Sequence, residues 1–271
     1  MPASRSRSRG PNSTAPVERR RAVWPFVLIG VAAIAAVVIA TLPASLAGHF
    51  LPSSVSVRDF SGSLWHGSAG AITVNSRNAG ALEWQLHPSA LAKLALAADV
   101  HWVKGGFALD AVGQLDAHGF SAENVRGGGP IEDLASLGVP AGWRGTAAIK
   151  LDAISGDFSG VSAAAGDIQI TNLASNQVAG ASDLGDYDLT IPAVAVAADG
   201  STTAKLSDRG GPVQVQADIR LSPKERLGLL SGTVMARAEA SPALRSQIDN
   251  LAQLHVRDSQ GRIPVEVEFS F

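Results

Sequence analysis

Residues 212–222 read Pro-Val-Gln-Val-Gln-Ala-Asp-Ile-Arg-Leu-Ser, with Val213, Val215, Ala217, Ile219 and Leu221 alternating against Gln214, Gln216, Asp218 and Arg220. A period of two sends successive side chains to opposite faces of a strand, so this stretch has one wet and one dry face. The same alternation recurs in Tyr187, Leu189 and Ile191, in Val265, Val267, Phe269 and Phe271, and in Phe107, Leu109 and Ala111. Shorter cases are Ala147, Ile149 and Leu151, then Ile168 and Ile170, then Val234, Ala236 and Ala238. Between them lie Gly127-Gly128-Gly129-Pro130, Asp199-Gly200 and Asp208-Arg209-Gly210-Gly211-Pro212, the residue types that turns need. Half-wet strands separated by short breaks predict a mainly β fold, an antiparallel sheet either curled or folded into a sandwich.

Few helices are expected. Ser241-Pro242 offers a cap and a first-turn proline, and Leu244, Ile248, Leu251 and Leu254 follow at helical spacing. Ser222-Pro223, His87-Pro88 and the run IEDLASL at 131–137, stopped by Gly138, are weaker helical signals. Alanine is the commonest inward residue of the strands, and small side chains bury little apolar area, which predicts modest stability or reliance on a partner.

Upstream of the strands, residues 22–42 read AVWPFVLIGVAAIAAVVIATL, and there is no charged residue between Arg21 and Arg58. Such a stretch spans about 30 Å as a helix, the thickness of a bilayer core, and is too long for the apolar region of a cleaved signal peptide. The tail before it carries six arginines, Arg19, Arg20 and Arg21 among them, and Trp24 stands at the expected interface. Arginines beside a membrane span hold that end in the cytoplasm, so they read as topology determinants and not as a nucleic-acid-binding arm. The chain divides into a basic cytoplasmic tail (1–21), a transmembrane helix (22–42), a linker (43–57) and an extracytoplasmic β-rich domain (58–271).

The 271 residues are 46% hydrophobic and 17% charged, with no cysteine, which excludes a disordered chain, a disulfide framework and thiolate chemistry. There is no phosphate-binding loop, dinucleotide fingerprint, zinc-protease motif or nucleophile elbow. His66, His87, His101 and His118 lack the spacing of metal ligands, and Asp99, Asp110, Asp152, Asp186, Asp188, Glu266 and Glu268 fall on polar strand faces. No cofactor is implied.

Two motifs stand out: Gly62-Ser63-Leu64-Trp65-His66-Gly67-Ser68-Ala69, then Leu82-Glu83-Trp84-Gln85-Leu86-His87-Pro88 followed by Leu91. Trp65 and Trp84 read as core fillers, with Gly62 and Gly67 permitting close backbone approach; an exposed partner anchor is the sharper alternative. Together with Leu42-Pro43, Leu51-Pro52, the segment Leu206-Ser207-Asp208-Arg209-Gly210-Gly211-Pro212-Val213 and the closing Gly261-Arg262-Ile263-Pro264-Val265, these residues resemble the type II secretion system protein N family, the general secretion pathway protein N proteins. The alanine- and glycine-rich domain and the long basic tail depart from that pattern.

The resemblance implies an inner-membrane component with a periplasmic domain, in the machine that moves folded proteins from the periplasm across the outer membrane. Its partners would be other secretion-system components, the inner-membrane platform and the secretin side, with a scaffolding role and no catalytic residue. Gly62, Leu64, Trp65, Gly67, Leu82, Trp84 and Pro88 are then candidate structural or interaction positions. Two other classes remain: an AsmA-like lipid-handling protein, which needs a continuous apolar trough, and an envelope enzyme, which needs pKa-shifted carboxylates gathered in a pocket.

Overall fold

The computed structural model describes residues 41–45, 48, 54–157, 160–178, 183–193, 201–222, 227–251 and 256–270. Outside them lie most of the expected transmembrane segment, Arg19, Arg20, Arg21 and Trp24, together with Leu51-Pro52, Asp199-Gly200, Pro223 and Leu254. Among the described residues no helix is long and apolar enough to cross a membrane.

The strands are β1 (Val55–Gly62), β2 (His66–Val74), β3 (Arg77–Leu86), β4 (Leu96–Lys104), β5 (Phe107–Leu115), β6 (Phe120–Pro130) and β7 (Trp143–Asp157). They continue as β8 (Gly160–Ser175), β9 (Gly185–Ile191), β10 (Thr202–Gly210), β11 (Val213–Ser222), β12 (Leu227–Ala236) and β13 (Ile263–Ser270). Each pairs antiparallel with its neighbours in sequence, giving one open 13-stranded sheet in the order β1 to β13. The sandwich alternative is thereby corrected: every connection returns the chain beside the strand just completed, so no second sheet forms. The sheet begins at Val55, three residues before the expected domain boundary.

Because each strand reverses the last, odd strands end and even strands begin at one end of the sheet. That near end carries the β1–β2 tip and Leu96, Leu115 and Phe120. The opposite, far end is capped. Helix α1 (Pro242–Leu251) starts where the Ser241 hydroxyl accepts the Leu244 N–H at 3.2 Å, and it buries Leu244 and Ile248 against Leu184, Tyr187, Val213 and Ile263. The run at 131–137 is a 3-10 helix (Ile131–Leu137) ending at Gly138, and its Ile131 joins Phe107 and Ala147 in a second cluster. The His87-Pro88 signal likewise yields a 3-10 helix, Pro88–Lys93. Seven residues or fewer close too few i to i−4 bonds to favour a regular α-helix over the tighter turn.

Gly127-Gly128-Gly129 does not break the chain as expected; it lies inside β6, laddered to β5 and β7. All three have φ near +150°, and a Cβ on Gly127 would stand 2.0 Å from the Ala108 carbonyl oxygen. Glycine here lets the strand keep its pairing through a conformation closed to other residues. Of the seventeen buried apolar residues described, seven are alanine, in line with a core of small side chains.

Candidate functional site

The two tryptophan motifs meet at the near end. Gly62 takes a left-handed φ of +79° to turn β1 into β2, and the turn is closed by Ser63, whose hydroxyl accepts the His66 N–H at 3.1 Å. The Leu64 N–H donates to the carbonyl of Leu42 at 2.7 Å, and Pro43 bridges Ser63. The next carbonyl, that of Trp65, accepts the Leu86 N–H at 2.7 Å, while the Trp84 indole N–H donates to Leu64 O at 2.8 Å. Gly67 lies under the same indole: a Cβ there would stand 2.4 Å from its six-membered ring.

The candidate residues therefore form a fastening that binds Leu42, the last residue of the apolar 22–42 segment, to the β1–β2 tip and to β3. Gly62, Leu64, Trp65, Gly67 and Trp84 belong to it directly. Leu82 pairs with Ala69 and Trp102 further along the same face, and Pro88 opens the 3-10 helix that follows β3. Both motif tryptophans are half-buried; Trp84 covers backbone on the apolar face instead of filling an enclosed core.

The opposite, polar face of β1 to β5 holds a cavity of about 620 Å³ beside His66, Glu83, Gln85, Asp99, His101 and Asp110. Here the register sets acids against imidazoles. His87 Nε2 lies 2.9 Å from a carboxylate oxygen of Asp99, and His101 Nδ1 lies 2.6 Å from one of Asp110. Sequence reasoning placed these aspartates on a polar face but missed the pairing, which depends on the register of β3, β4 and β5. Ser68 stands in the same cross-strand row as His101 with Glu83 between them. Two strand spacings, about 10 Å, are too great for a nucleophile and its base. Among the described residues no group of three or more acids and histidines is arranged to hold a metal. The carboxylates held below their ordinary range, Asp116 by the N–H groups of His118 and Gly119 and Asp258 by Arg262, occupy exposed turns.

A further network lies at the far end. Asp208, 5% exposed in its side chain, is ion-paired to Arg237 and accepts the Val215 N–H at 2.9 Å; Arg237 also donates to Gly211 O at 3.0 Å. Next to it the Tyr187 hydroxyl donates to Leu184 O at 2.8 Å, and burial, then the charge of Asp208, push its pKa up to about 12. The 206–213 segment is thus held by a nearly buried charge, a role visible in sequence only as an aspartate ahead of Gly-Pro.

A family model described as type II secretion system protein N matches residues 53–266. The chain belongs to the type II secretion system protein N family. The matched region runs from before β1 into β13, so the family definition covers nearly the whole sheet and contains both tryptophan motifs and the Asp208 network, while Leu42 and Pro43 precede it. No curated protein and no solved structure gives a significant match. Membership makes this chain a component of the secretion machinery that works with other components of that system.

Proposed function

We propose that this chain is a single-pass inner-membrane subunit whose sheet stands in the periplasm and binds other secretion-system components, without catalytic turnover. The observation that carries the reading is the distribution of surface. The larger cavities, of about 620 and 650 Å³, open on the polar face, whereas the apolar face is closed at the far end by α1 and the 131–137 segment. The apolar cavity near Val161, Ala204 and Leu221 measures about 70 Å³, well short of the 300 Å³ or more of an ordinary ligand pocket. A polar, laddered surface suits protein contacts better than it suits a lipid conduit. The arginine-rich tail and the charge-free stretch at 22–42 support the inner-membrane placement.

The test is to cross-link cells carrying a C-terminally tagged copy, purify it in detergent, and identify what accompanies it. Inner-membrane platform or secretin components are the expected result. Phospholipid with none of those components would overturn the scaffold reading.

A further inference from the structure

We infer that the near end of the sheet rests on the lipid bilayer through a rim of leucines. This rests on the reading of 22–42 as an anchor. Register places Leu96 opposite Leu115, Leu115 opposite Phe120, Phe120 opposite Gly156 and Gly156 opposite Val161. The result is an unbroken row without a charged member across β4 to β8. Four strand spacings make it about 19 Å long. Leu96, Leu115 and Val161 are each more than two-fifths exposed, and so is Leu91 in the adjoining 3-10 helix.

Leu94, which ends that helix, is 92% exposed and adopts a left-handed φ of +56°. A leucine in that conformation costs stability, and this one recovers little by burial. At the far end Leu244, Ile248, Ile131 and Phe107 are buried in clusters and the exposed apolar residues Leu137, Leu251 and Val256 sit on separate segments, whereas the near-end residues share one cross-strand row and the 3-10 helix beside it.

Chain connectivity identifies the occupant. The apolar segment 22–42 ends at Leu42, whose carbonyl is bonded to Leu64 at the β1–β2 tip. From there Trp65 is bonded to Leu86, and the next residue, His87, donates its N–H to Ala97 O at 2.7 Å, which brings the path to the start of β4. The residue that leaves the proposed span is therefore tied within a few strand spacings of the rim. Apolar side chains held at the end of a membrane anchor are stabilised by insertion at the interface. Asp116, in the turn after Leu115, is a carboxylate satisfied by its own turn. The contact is thus apolar, not an attraction to anionic lipid, and should persist on zwitterionic vesicles and in high salt.

The absence of cysteine makes the test direct. The full chain carrying Leu94→Cys, or Leu137→Cys as a far-end control, is labelled with an environment-sensitive fluorophore. Each is reconstituted into phosphatidylcholine vesicles containing nitroxide lipid. The expected result is quenching several-fold stronger at position 94 than at 137, unchanged by salt. Equal, weak quenching at both positions, in protein that resists alkaline extraction from the vesicles, would overturn the rim and leave the anchor standing. Release by alkaline extraction would overturn both. Shielding of position 94 only when a second protein is added would assign the rim to a protein partner and overturn the lipid contact.

Discussion

The indole N–H of Trp84 donates to the backbone carbonyl of Leu64, a residue that itself donates to Leu42, so one side chain secures both the first hairpin and the point where the N-terminal stretch joins the sheet. The six-membered ring reaches that position only because residue 67 has no side chain. Gly67→Val should cost about 1–3 kcal/mol by overpacking. Trp84→Ala should cost less than the ~3–5 kcal/mol of a fully enclosed tryptophan, because the ring is half-exposed. The double variant should be less destabilised than the sum of the two. Urea unfolding of all three variants measures this, and strict additivity would contradict the contact.

Asp208 and Arg237 form a charge pair in which the carboxylate is nearly buried. Arg237→Ala leaves that carboxylate uncompensated and should cost about 3 kcal/mol, the lower end for a buried pair because the guanidinium is partly exposed. Asp208→Asn in the Arg237→Ala background should recover part of the loss, since the residue left behind is neutral. Denaturant midpoints at constant m-value are the measurement.

Tyr187 is the single tyrosine of the chain, so tyrosinate absorbance reports it alone. Its pKa is raised to about 12 in the fold, from an unfolded value near 10. A raised acid pKa means that the neutral form is favoured when folded. Its contribution is complete below pH ~10 and is lost as pH climbs toward ~12. Folded protein should titrate later than the urea-unfolded chain, and Tyr187→Phe should be less alkali-sensitive than wild type. Coincident titration curves would contradict this.

Leu94 contributes little packing and holds a left-handed backbone; Leu94→Gly relieves about 1–2 kcal/mol of strain against about 0.4–1 kcal/mol of added unfolded-chain entropy, so stability should stay unchanged or rise by up to about 1 kcal/mol. Phe107→Ala, at an enclosed position of the far-end cluster, should cost about 3–5 kcal/mol. Thermal melts of the two variants separate a residue kept for contact from one kept for the fold.

A core with many alanines should give a cooperative melt below about 70 °C for the wild-type chain. A higher midpoint in the purified protein would show that the ladder hydrogen bonds and far-end clusters compensate for the small side chains.

Much of the sheet was legible because its signal is local. Alternation in 213–221 and 187–191 reflects one face toward water, and each alternating segment is a strand. The Ser241-Pro242 start of α1 was legible for the same reason, since a cap acts within one turn. The glycine run at 127–129 misled, because glycine equally permits a turn or a tightly approached strand, and the pairing of β5 and β7 on either side selects the strand. The histidine–aspartate pairs escaped notice because their alignment depends on register between strands, which no single strand encodes.

By itself the sequence determined the strand-forming segments, the charge-free N-terminal stretch and the motifs that carry the family resemblance, all of which follow from side-chain periodicity and composition over a few residues. Only the tertiary structure decided that the strands form one open sheet. It also decided that Trp84 joins Leu64 and that Asp208 meets Arg237. Finally, it gathered buried apolar clusters under α1 and the 131–137 segment at one end of the sheet and aligned a row of exposed apolar side chains at the other. Those outcomes depend on which distant backbones share hydrogen bonds, and that is settled when the whole ladder forms at once.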